Sequence, residues 1–200
     1  MKLKIVCIFF IISTACKSTT SELPILSYNY IDGKKELYKI DGFEFINQDG
    51  DTISSTNTEG KIHTMNFFFT TCPSICPPMR IKQSEIAKTF SSYPSFRQYS
   101  ISIDFKRDTL AQLQYYSKLH DINSEQWQLL RAPSEAQLNA IATLLKSNFE
   151  PNEDGTDFYH SSYLALIDNH QHIRGFYDIL KDEEIVLLKK DITVLLNQLE

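Results

Sequence analysis

Ile62-His-Thr-Met-Asn-Phe-Phe-Phe-Thr70-Thr-Cys72-Pro-Ser-Ile-Cys76-Pro-Pro-Met79 carries the decisive pattern of the chain. Ile62 to Thr70 is a nearly continuous run of apolar and β-branched residues centred on Phe67, Phe68 and Phe69. A run of that length and composition reads as a strand buried on both faces. Pro73, Pro77 and Pro78 then crowd the two cysteines. Proline is tolerated in a helix's first turn, where its missing N–H costs nothing. From Met79 to Tyr93, apolar residues at Met79, Ile81, Ile86, Ala87 and Phe90 give helical spacing. The cysteines are therefore expected at a strand-to-helix junction. Four residues apart, they would share one face of a helical turn. The positive end of the helix dipole would favour thiolate there.

Working outward, Gly42 to Asn47 alternates apolar and polar residues, Asn47 to Asp51 is a turn, and Thr52-Ile53-Ser54 returns, which predicts a β-hairpin. After the cysteines, Arg97 to Phe105 alternates as a second core strand. Asp108-Thr109 caps a helix through His120, and Ser134 with Gln137 opens another to about Ser147. Glu150 to Asp157 is acidic and irregular. Tyr163–Asp168 and His172–Tyr177 form a hairpin about a turn, and Asp182 to Leu199 is an amphipathic helix. Hairpin, strand, helix, strand, helices, hairpin, helix is the thioredoxin order, an α/β fold with a mixed sheet flanked by helices and an extra N-terminal β-hairpin.

The first residues have a different character. Lys2 and Lys4 precede an apolar run, Ile5 to Ile12, that is too short to span a bilayer. Ser13-Thr14-Ala15-Cys16 then reads as a bacterial lipoprotein signal, with residues 1–15 removed and lipid on Cys16. Residues 16–35 are expected to form the lipidated N-terminus and tether, and 36–200 the domain. The site would then face the periplasm or exterior from an envelope membrane. The chain carries a net charge of −5 with no basic block, which argues against a nucleic-acid partner.

Four cysteines are present. Cys7 leaves with the signal and Cys16 takes the lipid, so Cys72 and Cys76 remain. A bridge closing so short a loop adds little stability. The pair is better explained by chemistry, either redox work or metal binding, and the residues alone leave both open.

Three blocks together carry a resemblance: Asn66 to Pro77, Ser100 to Thr109 (Ser-Ile-Ser-Ile-Asp-Phe-Lys-Arg-Asp-Thr), and Asp157 to Leu164 (Asp-Phe-Tyr-His-Ser-Ser-Tyr-Leu). In order and spacing they resemble the Sco/SenC family of copper-binding proteins, from about Gly42 to the C-terminus. The resemblance implies that Cys72, Cys76 and His160 are copper ligands. Soft thiolates suit Cu(I), and an added imidazole suits Cu(II) as well. It further implies a metallochaperone that assists assembly of the copper centre of a respiratory cytochrome c oxidase. The partners would be the copper-binding oxidase subunit or another copper chaperone. A thiol–disulfide oxidoreductase using Cys72 and Cys76, or a copper or redox sensor, is the alternative.

His160 lies where a dithiol oxidoreductase of this fold usually has a cis-proline, and a structural zinc site would want a fourth protein ligand that is not evident. Asp104 is read either as a support of the site or as a strand end, and Asp108 as a helix cap. Met79 is read as packing, Trp127 as core or docking surface, and His63, His120, His170 and His172 as ordinary histidines. Ser74 stands where many family members have aspartate, which removes a negative charge beside the proposed ligands.

Overall fold

The computed structural model describes residues 22–153 and 158–199. The proposed signal and Cys16 lie outside the described residues. The elements in order are β1 (Tyr28–Ile31), β2 (Lys34–Leu37), β3 (Glu44–Asn47), β4 (Thr52–Ser54), α1 (Ser55–Thr58), β5 (Ile62–Phe68), α2 (Cys76–Thr89), β6 (Phe96–Ser102) and α3 (Leu110–Leu119). They continue with β7 (Trp127–Arg131), α4 (Glu135–Leu144), β8 (Phe149–Pro151), β9 (Phe158–His160), β10 (Tyr163–Ile167), β11 (Ile173–Asp178) and α5 (Asp182–Asn197).

Seven strands form one sheet in the order β11-β10-β5-β6-β7-β3-β4. β5, β6 and β7 run parallel at its centre. β10 and β11 extend it antiparallel on one side, and β3 and β4 on the other. Every residue of β5 is buried, as its apolar run requires. One core cluster packs Met79 and Ile86 of α2, Phe90 just after it, and Ile185, Leu188 and Ile192 of α5 with Ile62, Leu164 and Leu166. The other joins Leu113 of α3 and Leu138 and Ile141 of α4 to Phe45, Met65, Ile101 and Leu129. This is the thioredoxin-like arrangement with the β3–β4 hairpin as an added edge.

Several elements differ from the sequence expectation. β7 fills a central position, yet Trp127-Gln-Leu-Leu-Arg131 is short and carries no period-2 signal. β1 and β2 form a separate hairpin about Asp32 and Gly33, both at positive φ (50° and 76°). Asp-Gly at such φ is the type I′ turn that matches strand twist. Glu150 to Asp157 was expected to be irregular, but Phe149–Pro151 pairs with Phe158–His160.

Part of the stretch expected as tether lies against the domain. The Leu26 N–H donates to the Ile173 carbonyl at 2.7 Å. The Arg174 guanidinium binds the Leu23 and Pro24 carbonyls and the buried Asp168 carboxylate.

His63 sits wholly inside β5. Its Nδ1 pairs with the Lys61 carbonyl at 3.2 Å, while Nε2 finds no partner among the described residues. Burial holds its pKa down to about 4, so the folded protein keeps it neutral. The unfolded chain takes up a proton near pH 6.5, so stability falls as pH drops from that value towards 4. Urea unfolding is expected to show a loss of roughly 2 kcal/mol from this residue between pH 7 and pH 5. His63→Leu should remove that increment. An unchanged pH slope in the variant would assign the effect elsewhere.

Candidate metal centre

β5 ends at Phe68, and the chain turns through Phe69 to Ile75 before α2 begins at Cys76. The two cysteines are therefore not on one helical turn, as their spacing had suggested. Cys72 lies in the preceding loop and Cys76 is the first residue of α2. They still meet, because the Cys76 N–H donates to the Cys72 sulfur at 3.4 Å. Cys72 thus accepts one of the backbone donors that a helix start leaves unpaired. Pro77 and Pro78 follow at positions where no donor is lost. Both cysteines are nearly covered, at 8% and 4% exposure.

The third group arrives from the far side of the sequence. His160 closes β9 and pairs across the short ribbon with Phe149. Its ring packs edge-on against Phe69, which also meets Phe158. His160 Nδ1 lies 3.1 Å from the Ser161 carbonyl. With Nδ1–H donated there, Nε2 is left as the lone-pair nitrogen, and it stands 3.5 Å from the Cys76 sulfur. The ligand atoms of Cys72, Cys76 and His160 all lie within 4.8 Å of one another. Ligands bound at about 2.0–2.3 Å to one ion stand roughly 4 Å apart, so this trio fits a shared metal with little movement. It is the only such group of three among the described residues.

The two thiols perturb each other in opposite directions. Cys72 is driven far down, to about 3, first by the hydrogen bond from the Cys76 thiol and then by His160 and the Cys76 N–H. Ser74 adds a further contact, with its hydroxyl 3.8 Å from the Cys72 sulfur. Cys76 is pushed up, because it donates to Cys72 and is desolvated. The coupling favours the thiolate at Cys72 and the thiol at Cys76. Alkylation supplies a check. For an ordinary thiol the rate falls tenfold per pH unit below its pKa, whereas Cys72 is expected to react at a nearly constant rate from pH 8 to pH 5. A tenfold fall per unit, with the site located by peptide mapping, would remove the thiolate from Cys72.

Asp108 is the supporting residue that the sequence reading missed. The helix cap of α3 is Thr109, whose hydroxyl accepts from the Gln112 N–H. Asp108 is instead buried and accepts from the Thr70 N–H at 3.1 Å, the Thr70 hydroxyl at 2.5 Å and the Ser102 hydroxyl at 2.5 Å. It thereby fixes the residue two before Cys72. Burial raises its pKa above the ordinary carboxylate value, and its charge is among the causes that raise Cys76.

Asp104 bonds within the 102–108 turn, to Ser102 and Arg107, and shapes the segment that carries Asp108. Trp127 is core, and its indole N–H donates to Ser100. Ser100, Asn66 and Gln83 bond one another beneath α2, so a buried polar set fixes the helix on the sheet. His172 is used structurally, bonded to Ser27 and the Tyr38 carbonyl.

Fold and site together define a thioredoxin-like domain whose dithiol is joined by a histidine in a group of three that could hold a metal ion. The chain belongs to the SCO1/SenC family, whose profile matches residues 32–194. An SCO2-like protein of Rickettsia prowazekii is 31% identical over 165 residues, covering 76% of this chain and 77% of the relative. Among solved structures, a SCO1/SenC family lipoprotein from Bacillus anthracis superposes with a TM-score of 0.73 at 21% identity, covering 86% of this chain and 99% of the other. BsSco, described as a member of the Sco family of cytochrome c oxidase assembly proteins with a disulfide switch, gives a TM-score of 0.70 at 23% identity over 80% and 94% of the two chains. Arabidopsis thaliana ScoI, solved with copper bound, gives 0.66 at 25% identity over 80% and 99%.

Proposed function

We propose that the protein binds copper through Cys72, Cys76 and His160 and assists assembly of the copper centre of a respiratory cytochrome c oxidase. The observation that carries this reading is the convergence of two sulfurs and one imidazole nitrogen within 4.8 Å. Thiolates with an imidazole suit copper in both oxidation states. The copper-bound ScoI structure and the description of BsSco support the same reading.

Copper is the cargo here. Cys72 offers a thiolate in advance, and Cys76 gives up its proton on binding, so uptake releases about one proton per ion. Three ligands leave room for an attacking thiolate from a partner, and ligand exchange then hands the ion on. The partner would be the oxidase's copper-binding subunit or another copper chaperone.

We further propose that Cys16 carries lipid and holds the domain at an envelope membrane, facing the periplasm or exterior. No helix among the described residues is long and apolar enough to cross a membrane. The sequence around Cys16 and the lipoprotein among the structural neighbours support an anchor of this kind. Mass spectrometry of the protein from membranes checks it, since Cys16→Ser should abolish the lipid-sized mass increment.

Titration of the reduced protein with copper tests the central reading. One ion per chain is expected, with a thiolate-to-Cu(II) absorption band on oxidation of the bound ion that Cys72→Ser removes. Loading and a band unaffected by Cys72→Ser would sink the assignment. In cells, loss of the protein should lower oxidase copper content, restored by the wild type and not by the His160→Ala variant. A thiol reductase would be restored by both.

A further inference from the structure

The β1–β2 hairpin takes no part in the metal centre, yet it is built with care. Tyr28 pairs with Leu37 and Tyr30 with Lys35, so these four side chains share one face of the ribbon. Ile31 stands beside the Asp32-Gly33 turn, opposite Lys34. A two-stranded ribbon alone is marginal in water. This one is fixed at its base by Lys146, whose ammonium donates to the Tyr28 carbonyl at 2.7 Å and lies 5.1 Å from the Tyr28 ring centre. Lys35 stacks on the other ring contact of Tyr28 at 4.1 Å. What the hairpin holds out is apolar. Tyr30 is 69% exposed, Ile31 51% and Leu37 52%.

We propose that this hairpin is a membrane-interface contact that rests its tip, with Tyr30 and Ile31 on opposite faces beside the Asp32-Gly33 turn, in the headgroup boundary of the bilayer to which the chain is anchored. The inference rests on the lipid-anchor reading of Cys16. Reach supports it. Leu23, which is docked on the domain through Arg174, lies seven residues along the chain from Cys16. Fully extended they span at most about 25 Å, so the anchored domain stays at the bilayer surface, with the hairpin starting five residues beyond Leu23.

Composition supports it too. A tyrosine with aliphatic neighbours and lysines suits the boundary between acyl chains and headgroups, where the amine reaches back to phosphate. Lys34 and Lys35 are exposed beside the tip, in a ribbon that also exposes Asp32 and Glu36. Charged residues along β2 (Lys34, Lys35, Glu36) oppose strand addition to a second copy or another sheet. Two apolar side chains give weak binding alone, but an anchor that confines the domain to the surface makes weak contact sufficient. Two points of attachment then set how the domain is oriented on the membrane.

The test uses the full lipidated chain reconstituted in vesicles of zwitterionic and anionic phospholipid brominated along the acyl chains. Tyr30→Trp reports the hairpin, and Tyr115→Trp, on α3 and 61% exposed, is the control. Trp127 is buried and common to both. With the protein co-floating with vesicles, quenching at position 30 is expected to exceed that at position 115 roughly threefold, and Ile31→Ser at the tip should reduce it while Leu37→Ser at the base should not. Equal quenching with co-flotation overturns the hairpin contact and leaves the anchor standing. Failure to co-float overturns the anchor and the hairpin contact together. Copper titration of the same samples reads the metal centre independently of either result.

Discussion

Replacing His160 with alanine is expected to weaken Cu(II) binding at least a hundredfold while leaving the Cys72–Cys76 pair able to form and break a disulfide. Loss of a group that merely orients a ligand costs a metal site about 10–100-fold, so loss of a ligand itself costs no less. The expected effect is uneven between oxidation states. Two thiolates suffice for Cu(I), whereas Cu(II) gains most from the imidazole, so the ratio of the two affinities should shift towards Cu(I). The variant should fold, because His160 is only half-buried and sits on a two-stranded ribbon outside the seven-stranded sheet. His160→Asn, which keeps a polar group of similar reach, should not restore Cu(II) affinity. Competition titration against a chelator of known affinity, for each oxidation state, reads the result. Equal affinities in wild type and variant would remove His160 from the ligand set, and a thiol-exchange role would then be the better account of the pair.

How much of this was legible beforehand depended on where each signal resides. The Ile62–Phe68 strand announced itself, because a strand buried on both faces must be apolar throughout. The cysteine junction was legible from the prolines, although the placement of Cys72 before the helix was not. Spacing alone cannot tell a helical turn from a loop that folds back on a helix start. β7 was hidden because a central parallel strand of five residues borrows its stability from both neighbours and needs no alternation of its own. The β1–β2 hairpin did carry a signal, Asp32-Gly33, but its strands are polar and exposed, so no apolar pattern flanked the turn.

His160 entered through resemblance, and its position beside Cys76 depends on the β8–β9 pairing, which the acidic stretch disguised. Asp108 was misread for a related reason. An aspartate before a helix is normally its cap, and only the tertiary structure shows that Thr109 takes that task and frees Asp108 to reach Thr70.

Asp108→Ala is accordingly expected to be the most damaging single change near the site that touches no ligand. Its carboxylate takes three hydrogen bonds in a fully buried position: Thr70 N–H, Thr70 hydroxyl and Ser102 hydroxyl. Alanine leaves the Thr70 N–H and both hydroxyls without that acceptor. Hydrogen bonds to charged groups contribute about 1.5–3 kcal/mol each, and relief of the buried carboxylate's own desolvation returns part of the sum, so a loss of roughly 4 kcal/mol is expected in urea unfolding.

The local consequence should reach the thiols. Thr70 anchors the turn that sets Cys72, so a looser turn weakens the Cys76 N–H contact to the Cys72 sulfur. Cys72 should then lose part of what holds it as a thiolate, and its alkylation should become steeply pH-dependent. Removal of the Asp108 charge acts oppositely on Cys76, whose pKa it helps to raise. Asp108→Asn separates the two effects. It retains an acceptor oxygen for Thr70 or Ser102, so it should recover a good part of the stability, and it lacks the charge, so Cys76 should deprotonate more readily and copper uptake should release its proton at lower pH. If Asp108→Ala costs under about 1 kcal/mol, the carboxylate is dispensable to the turn and the three hydrogen bonds are replaced by water.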